Sequence, residues 1–266
     1  MNLFFRELKR NLLSTLIWLT ILIVVNGMML ASFESVAEMA KNTEAMLAQY
    51  PKEFVQALSL DQLKMTDILH FYASRSFLLV SIFGSVYAIL LTSSMLSKEE
   101  SEKTIEFLLS KPINRTSLLT SKLLCSFTLV TLFNLSFSVS NWLLLSHFKT
   151  QDFDPVAFLF ISFGAWGIHL IFLFIGFTLS AYITKNRRNT AIALGCVFLG
   201  YFLSIAASLK ETLSILKYAS PFSYFNTEDL VIAKTIQPTY LLITLFMILF
   251  CIGLTYYHYG KKDIAV

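Results

Sequence analysis

Charged residues are scarce in this 266-residue sequence: Asp, Glu, Lys and Arg make up 14% of it, whereas apolar residues make up 56%. That balance excludes an ordinary soluble globular domain, in which about a quarter of the residues are charged. The three cysteines all fall in apolar stretches, and they offer neither a disulfide framework nor the spacing of a metal site. The composition therefore indicates a membrane protein.

Charge is absent altogether from six apolar runs of about 20 residues or more, the length that crosses about 30 Å of hydrocarbon as a helix. A transmembrane barrel would instead show alternating runs of about ten residues. We therefore predict an all-α membrane protein with six transmembrane helices in one permease domain, 1–266. The predicted spans are residues 12–31, 77–96, 123–145, 156–183, 190–209 and 240–259.

The positive charges are unevenly distributed over the segments between the runs. Six spans place both termini on one side, and the segments of that side carry 13 of the 21 Lys and Arg residues. Positive charge in short loops marks the cytoplasmic side. We therefore predict cytoplasmic termini, an extracytoplasmic loop at 32–76 and an extracytoplasmic linker at 210–239.

The most charged stretch, SKEESEKTIEFLLSKPINR at 97–115, lies on the predicted cytoplasmic side. Ser97 and Glu100 fit a capping box, and Pro112 marks the end of a short amphipathic helix. Its acidic face is unlike that of helices bound to the negatively charged inner leaflet, which carry Lys and Arg. A protein partner fits this face better than lipid does, although a solvated connector is the alternative.

The N-terminal residues form a second amphipathic pattern. Phe4, Phe5 and Leu8 fall at helical spacing opposite Arg6 and Lys9. This arrangement predicts an interfacial helix over 1–11 that lies on the inner leaflet before the first span. A basic flank that only fixes topology is the alternative.

The stretch 97–115, with Lys122 beyond it, resembles the cytoplasmic signature of ABC-2 type ABC transporter permeases, E-E-x-x-x-T-x-E-x-L-L-x-x-P-x-x-R. SPFSYFNTEDL at 220–230 is similar to the segment between the fifth and sixth spans of those permeases. The resemblance implies that 97–115 is a coupling helix that contacts a cytoplasmic ATP-binding subunit. The residues implied in that contact are Glu99, Glu100, Thr104, Glu106, Leu109 and Arg115.

The same resemblance implies an exporter in the plasma membrane of a prokaryote. It would contain two ATP-binding subunits and a second permease protomer, as a homodimer or a related heterodimer, and no nucleic acid. Small peptides, antimicrobials or other amphipathic molecules are the expected substrates.

Two observations concern the energy source. The sequence contains no G-x-x-x-x-G-K-[ST] phosphate-binding motif and no nucleophile–base pair at membrane depth. We therefore expect a transport subunit that is not an enzyme and holds no cofactor, with ATP and Mg²⁺ on the partner. The alternative is a proton-coupled secondary transporter that uses His169, the ionisable residue at membrane depth in span four.

Candidate pathway residues lie in spans three and five. Thr131, Asn134, Ser138 and Asn141 form a polar stripe at helical spacing, which indicates either hydrogen bonding between helices or a substrate path. Phe198 and Phe202 suit an apolar ligand or the lipid equally well. Span two carries small residues at Ser81, Ser85, Ala88 and Thr92, and span four at Gly176 and Ser180, both suited to close helix packing.

Overall fold

The structure is a computed structural model that describes residues 3–39, 67–101, 114–209 and 211–262. Within these ranges the long elements are all α-helices and no β-strand occurs. Six helices are long and apolar enough to cross a membrane, which confirms the predicted fold class. They are α1 (Leu3–Ala31), α2 (Phe77–Ser101), α3 (Arg115–Phe148), α4 (Pro155–Tyr182), α5 (Asn186–Leu209) and α6 (Pro238–Lys261).

Local sequence signals set several helix ends. Asp154 caps α4, because its side chain accepts hydrogen bonds from the backbone N–H groups of Val156 and Ala157. Pro155 and Pro238 stand in the first turns of α4 and α6, where a proline sacrifices no hydrogen bond.

The predicted extracytoplasmic segments contain short helical elements. Residues 33–39 are helical, and Ile68–Phe71 with the π-helical turn Tyr72–Ser76 leads directly into α2. The linker before α6 contains 3-10 helices at Glu211–Tyr218 and Pro221–Ser223 and a π-helical turn at Asp229–Ala233. The remainder of the predicted outer loop, 40–66, lies outside the described residues.

Helices α2 and α4 form the centre of the bundle and pack most extensively against each other. A Cβ atom at Gly84 would lie 2.1 Å from the His169 ring, and one at Gly176 would lie 2.3 Å from Thr92 Oγ1. Such contacts are possible only because these positions are glycine. The prediction that small residues of spans two and four allow close packing is thereby confirmed.

The helices around this pair are buried to different extents. Two thirds of the apolar segment of α2 and of α4 is buried, against 22% for α1 and α5 and 6% for α6. The exposed apolar faces of the outer helices are those expected for contact with hydrocarbon or with another membrane-embedded chain.

Two details at the predicted cytoplasmic end differ from the sequence predictions. Helix α1 is continuous from Leu3, without a break between a flat helix over 1–11 and span one, because Glu7 packs inward against α3. The capping box at Ser97 is also wrong. Ser97 lies inside α2, where its hydroxyl donates a 2.8 Å hydrogen bond to the carbonyl of Ser93.

Candidate functional site

A cluster of buried charged side chains joins three helices at the predicted cytoplasmic end. Lys122 of α3 is completely buried, and its Nζ lies 2.8 Å from Glu99 Oε1 of α2 and 3.9 Å from Glu7 Oε1 of α1. The same Nζ donates a 2.6 Å hydrogen bond to the carbonyl of Met95. One ammonium group therefore holds α1, α2 and α3 together.

Arg10 completes this inner cluster, which consists of Glu7, Arg10, Glu99 and Lys122. Arg10 Nη2 lies 2.6 Å from Glu7 Oε2, and its side chain is 37% exposed whereas that of Glu7 is fully buried. Two carboxylates and two cations balance, as buried charge requires if its desolvation is to be offset. Arg10 connects the buried part of the cluster to the surface.

The neighbouring Glu100 belongs to a second group, the C-terminal cluster of Glu100, Arg115 and Lys262. Lys262 Nζ lies 2.7 Å from Glu100 Oε2 and donates a 2.8 Å hydrogen bond to the carbonyl of Ala181 in α4. Arg115 Nη1, at the start of α3, donates a 2.7 Å hydrogen bond to the carbonyl of Lys262. Two adjacent glutamates at the end of α2 thus fasten it to α1 and α3 on one side and to the ends of α4 and α6 on the other.

These contacts change the interpretation of the predicted partner-binding residues. Glu99, Glu100 and Arg115 are engaged inside the chain, so Glu99 and Glu100 are not available to another subunit in this conformation. Thr104, Glu106 and Leu109 lie outside the described residues. Contact with the ATP-binding subunit stays a prediction for those three and for Arg115.

The sequence predictions missed the partners Glu7, Arg10 and Lys262. Arg10 and Lys262 were counted only among the positive charges that mark the cytoplasmic side, and Glu7 was given no role. A lone acidic residue among the basic residues at the N-terminus was the available signal, but the choice of its partner depends on the packing of α1 against α3.

The polar stripe of α3 divides into two parts. Asn141 is buried and its Oδ1 accepts a 2.9 Å hydrogen bond from Asn26 Nδ2 of α1, so it belongs to a helix interface. Thr131, Asn134 and Ser138 instead line a groove between α3 and α4. Asn141 thus forms the hydrogen bond between helices that one alternative predicted, and a substrate path along the other three residues stays a prediction.

This groove, called the α3–α4 groove below, has a volume of about 620 Å³. None of the described residues that line it carries a formal charge. Its lining is Thr131, Asn134, Leu135, Ser138, Phe158, Leu159, Phe160, Ser162, Phe163, Trp166 and Ile236.

His169 lies behind the groove as a packed core residue. It is 1% exposed, with its ring against Gly84. Its Nδ1 lies 2.8 Å from Asn134 Oδ1, and its Nε2 lies 3.2 Å from the carbonyl of Val80. Both ring nitrogens are therefore occupied within the chain.

Phe198 and Phe202 are not part of the α3–α4 groove. They are 46% and 62% exposed on the outer face of α5. Among the described residues, no three His, Cys, Asp or Glu side chains come together in a way that could hold a metal ion.

Six membrane-length helices, joined by buried ion pairs at one end and carrying a lateral apolar groove, define a multi-pass membrane protein. A family model described as ABC-2 family transporter protein matches residues 1–264, and the chain belongs to that family. It is a transport subunit of an ABC transporter, and membership implies an ATP-binding partner subunit. No curated protein matches the sequence significantly.

Proposed function

We propose that this chain is the membrane-spanning subunit of an ATP-driven exporter in the plasma membrane of a prokaryote, with both termini in the cytoplasm. The positive charge of the segments on the side of the termini supports that orientation. ATP and Mg²⁺ belong to the ATP-binding subunit, and this chain contributes the path through the membrane.

The observation that carries the proposal is the pair of ion clusters at the end of α2. The predicted coupling segment, 97–115, begins within the end of α2, and Glu99 and Glu100 fasten the last turn of that helix to neighbours on both sides. A displacement of the segment by the partner would therefore act on α1, α3, α4 and α6 together. Buried charge pairs suit the transmission of a displacement from one helix to another, because separating them costs free energy.

The contact with the ATP-binding subunit falls, in this proposal, on Thr104, Glu106, Leu109 and Arg115. Two ATP-binding subunits and a second permease protomer complete the transporter. The exposed apolar face of α5, with Phe198 and Phe202, is open to that protomer or to lipid.

Transport by the chain in proteoliposomes, with its ATP-binding subunit, tests the proposal. Export is expected to require ATP and to persist without a proton gradient. The variant Glu106→Ala is expected to lose transport while ATP hydrolysis continues. Transport that follows a proton gradient without ATP, and disappears in His169→Ala, would instead establish the secondary transporter.

Orientation has a separate test. A cysteine placed by Glu106→Cys, in a chain whose three native cysteines are replaced by alanine, should be protected from an impermeant thiol reagent in intact cells. It should react once the membrane is opened. Labelling in intact cells would reverse the proposed topology.

A further inference from the structure

The α3–α4 groove lies in the half of the bundle remote from the ion clusters. Ser138 is ten residues before the end of α3 at Phe148, about 15 Å along the helix axis, and Thr131 is about 25 Å from that end. Ile236 of the linker also lines the groove. Given the proposed topology, the groove occupies the outer half of the membrane.

The groove opens sideways at membrane depth. Leu135 and Leu159, on its two edges, are 59% and 65% exposed, and Phe163 is 45% exposed. A ligand can therefore enter from the hydrocarbon without crossing the bundle. Its apolar part would contact Phe158, Phe160 and Trp166.

Polar groups line the wall without a net charge. Thr131 Oγ1 accepts a 3.3 Å hydrogen bond from Trp166 Nε1, and Asn134 uses one amide proton on the carbonyl of Val130. The Asn134 side chain is held further by His169, which leaves its second amide proton for another partner. The hydroxyls of Ser138 and Ser162 have no hydrogen-bond partner within the described chain.

A hydroxyl group surrounded by hydrocarbon is stabilised by a hydrogen bond to a ligand, because no water is present there to bond it. The lining offers donors and acceptors but no formal charge to balance an ionised group. Bringing an ion to this depth would be costly without such a counter-charge. The complementary ligand is therefore uncharged, apolar over most of its length, and able to form hydrogen bonds.

We propose that the α3–α4 groove is a binding site for an uncharged amphiphile with hydroxyl, ester or amide groups, and that Asn134 and Ser138 contact those groups. The identification of this ligand class with the exported cargo rests on the proposed function. The binding itself does not, because it needs neither ATP nor the partner subunit.

The reporter for the test is Trp166, which lines the groove. Replacing Trp18→Phe and Trp142→Phe leaves Trp166 as the single tryptophan of the chain. The probes are a monoacylglycerol with a brominated acyl chain, a brominated alkane of equal length and a brominated alkyltrimethylammonium. Each is titrated into the full chain in lipid nanodiscs while fluorescence quenching is followed.

The monoacylglycerol is expected to quench saturably, with an affinity at least about fivefold higher than that of the alkane, the effect of one or two hydrogen bonds. The ammonium compound is expected to bind more weakly than the monoacylglycerol. Asn134→Leu should remove the preference over the alkane, and Ser138→Phe should abolish saturable quenching because the ring fills the groove. Ser136→Phe is the matched control, since Ser136 is exposed on the same helix and outside the lining.

Quenching that rises linearly for all three probes would show that ordinary lipid covers the groove, and equal effects of Ser138→Phe and Ser136→Phe would show that the ligand binds elsewhere. A monomer produced by Ser138→Phe alone, from a chain that is otherwise dimeric, would assign the groove to a second copy. Each of these results overturns the proposal. If the chain binds the monoacylglycerol in the groove but shows no ATP-dependent transport with its ATP-binding subunit, that result counts against the proposed function alone.

Discussion

The two ends of the bundle differ in whether they bury formal charge. At the inner end, Lys122 and its carboxylate partners are buried in direct contact, whereas the groove in the other half has polar groups but no formal charge. Buried ion pairs resist separation, and neutral polar groups exchange partners at little cost. This contrast matches the two proposed roles, in which the end with the ion clusters transmits force and the groove binds and releases a ligand.

The largest effect is expected at the centre of the inner cluster. Lys122→Met leaves Glu7 and Glu99 buried without their shared cation, and such a loss costs about 3 to 5 kcal/mol in the free energy of unfolding. Thermal denaturation in detergent measures it. The triple variant Glu7→Gln, Lys122→Met, Glu99→Gln should recover much of the loss, because it removes the three buried charges together and leaves only Arg10, which is 37% exposed.

Lys149→Ala is the matched control for this prediction. Its pair with Asp152 is solvent-exposed, and exposed pairs contribute about 0 to 1 kcal/mol. Equal effects of the changes at Lys122 and Lys149 would remove the distinction between the two ends of the bundle.

The second effect concerns the packing on which both ends depend. Gly84→Ala forces a methyl group into the His169 ring, and overpacking of this kind costs about 1 to 3 kcal/mol. Gly195→Ala is the control, because no atom lies within 4 Å of its Cβ position, and it should leave the denaturation midpoint unchanged or raised. A tolerated Gly84→Ala would show that α2 and α4 pack less closely than described.

A smaller loss is expected in the C-terminal cluster. Glu100→Gln removes the charged partner of Lys262, which keeps its hydrogen bond to Ala181, so the cost should be about 1 to 2 kcal/mol. The denaturation midpoint and ATP-coupled transport are both measured. Lys98→Gln is the control, since Lys98 has no ion-pair partner in the described part of the chain; a similar response to both changes would argue against this cluster.

The smallest effect belongs to the linker beside the groove. Asp154 pairs with Lys234, and the hydrogen bond from that side chain holds the pKa of the Asp154 carboxyl below its usual value of 3.8. A lowered folded-state pKa contributes stability above the usual value, which is lost as the pH falls through the folded value. The difference in denaturation midpoint between wild type and Asp154→Asn should be constant from neutral pH to about 5 and should shrink as the pH falls below 3.8. A difference that grows on acidification would reverse this assignment.

The fold could be predicted from the sequence because an uncharged run of 20 residues has few alternatives to a membrane-spanning helix. The candidate site could be predicted only in part. The stripe Thr131, Asn134 and Ser138 follows from helical spacing, but the facing α4 wall depends on how two helices pack. The partners of Glu99 and Glu100 were equally hidden, because they come from residues more than twenty positions away or from the opposite end of the chain.

The consecutive glutamates that end α2 also limit how this subunit can move. Glu99 contacts the cluster on the first and third helices, and Glu100 contacts Lys262 beside the fourth and sixth helices. Neither pair of helices can therefore separate from α2 without breaking a buried contact. Opening of the bundle at this end should accordingly occur in one concerted step, and an intermediate with only half of it open should be too short-lived to accumulate.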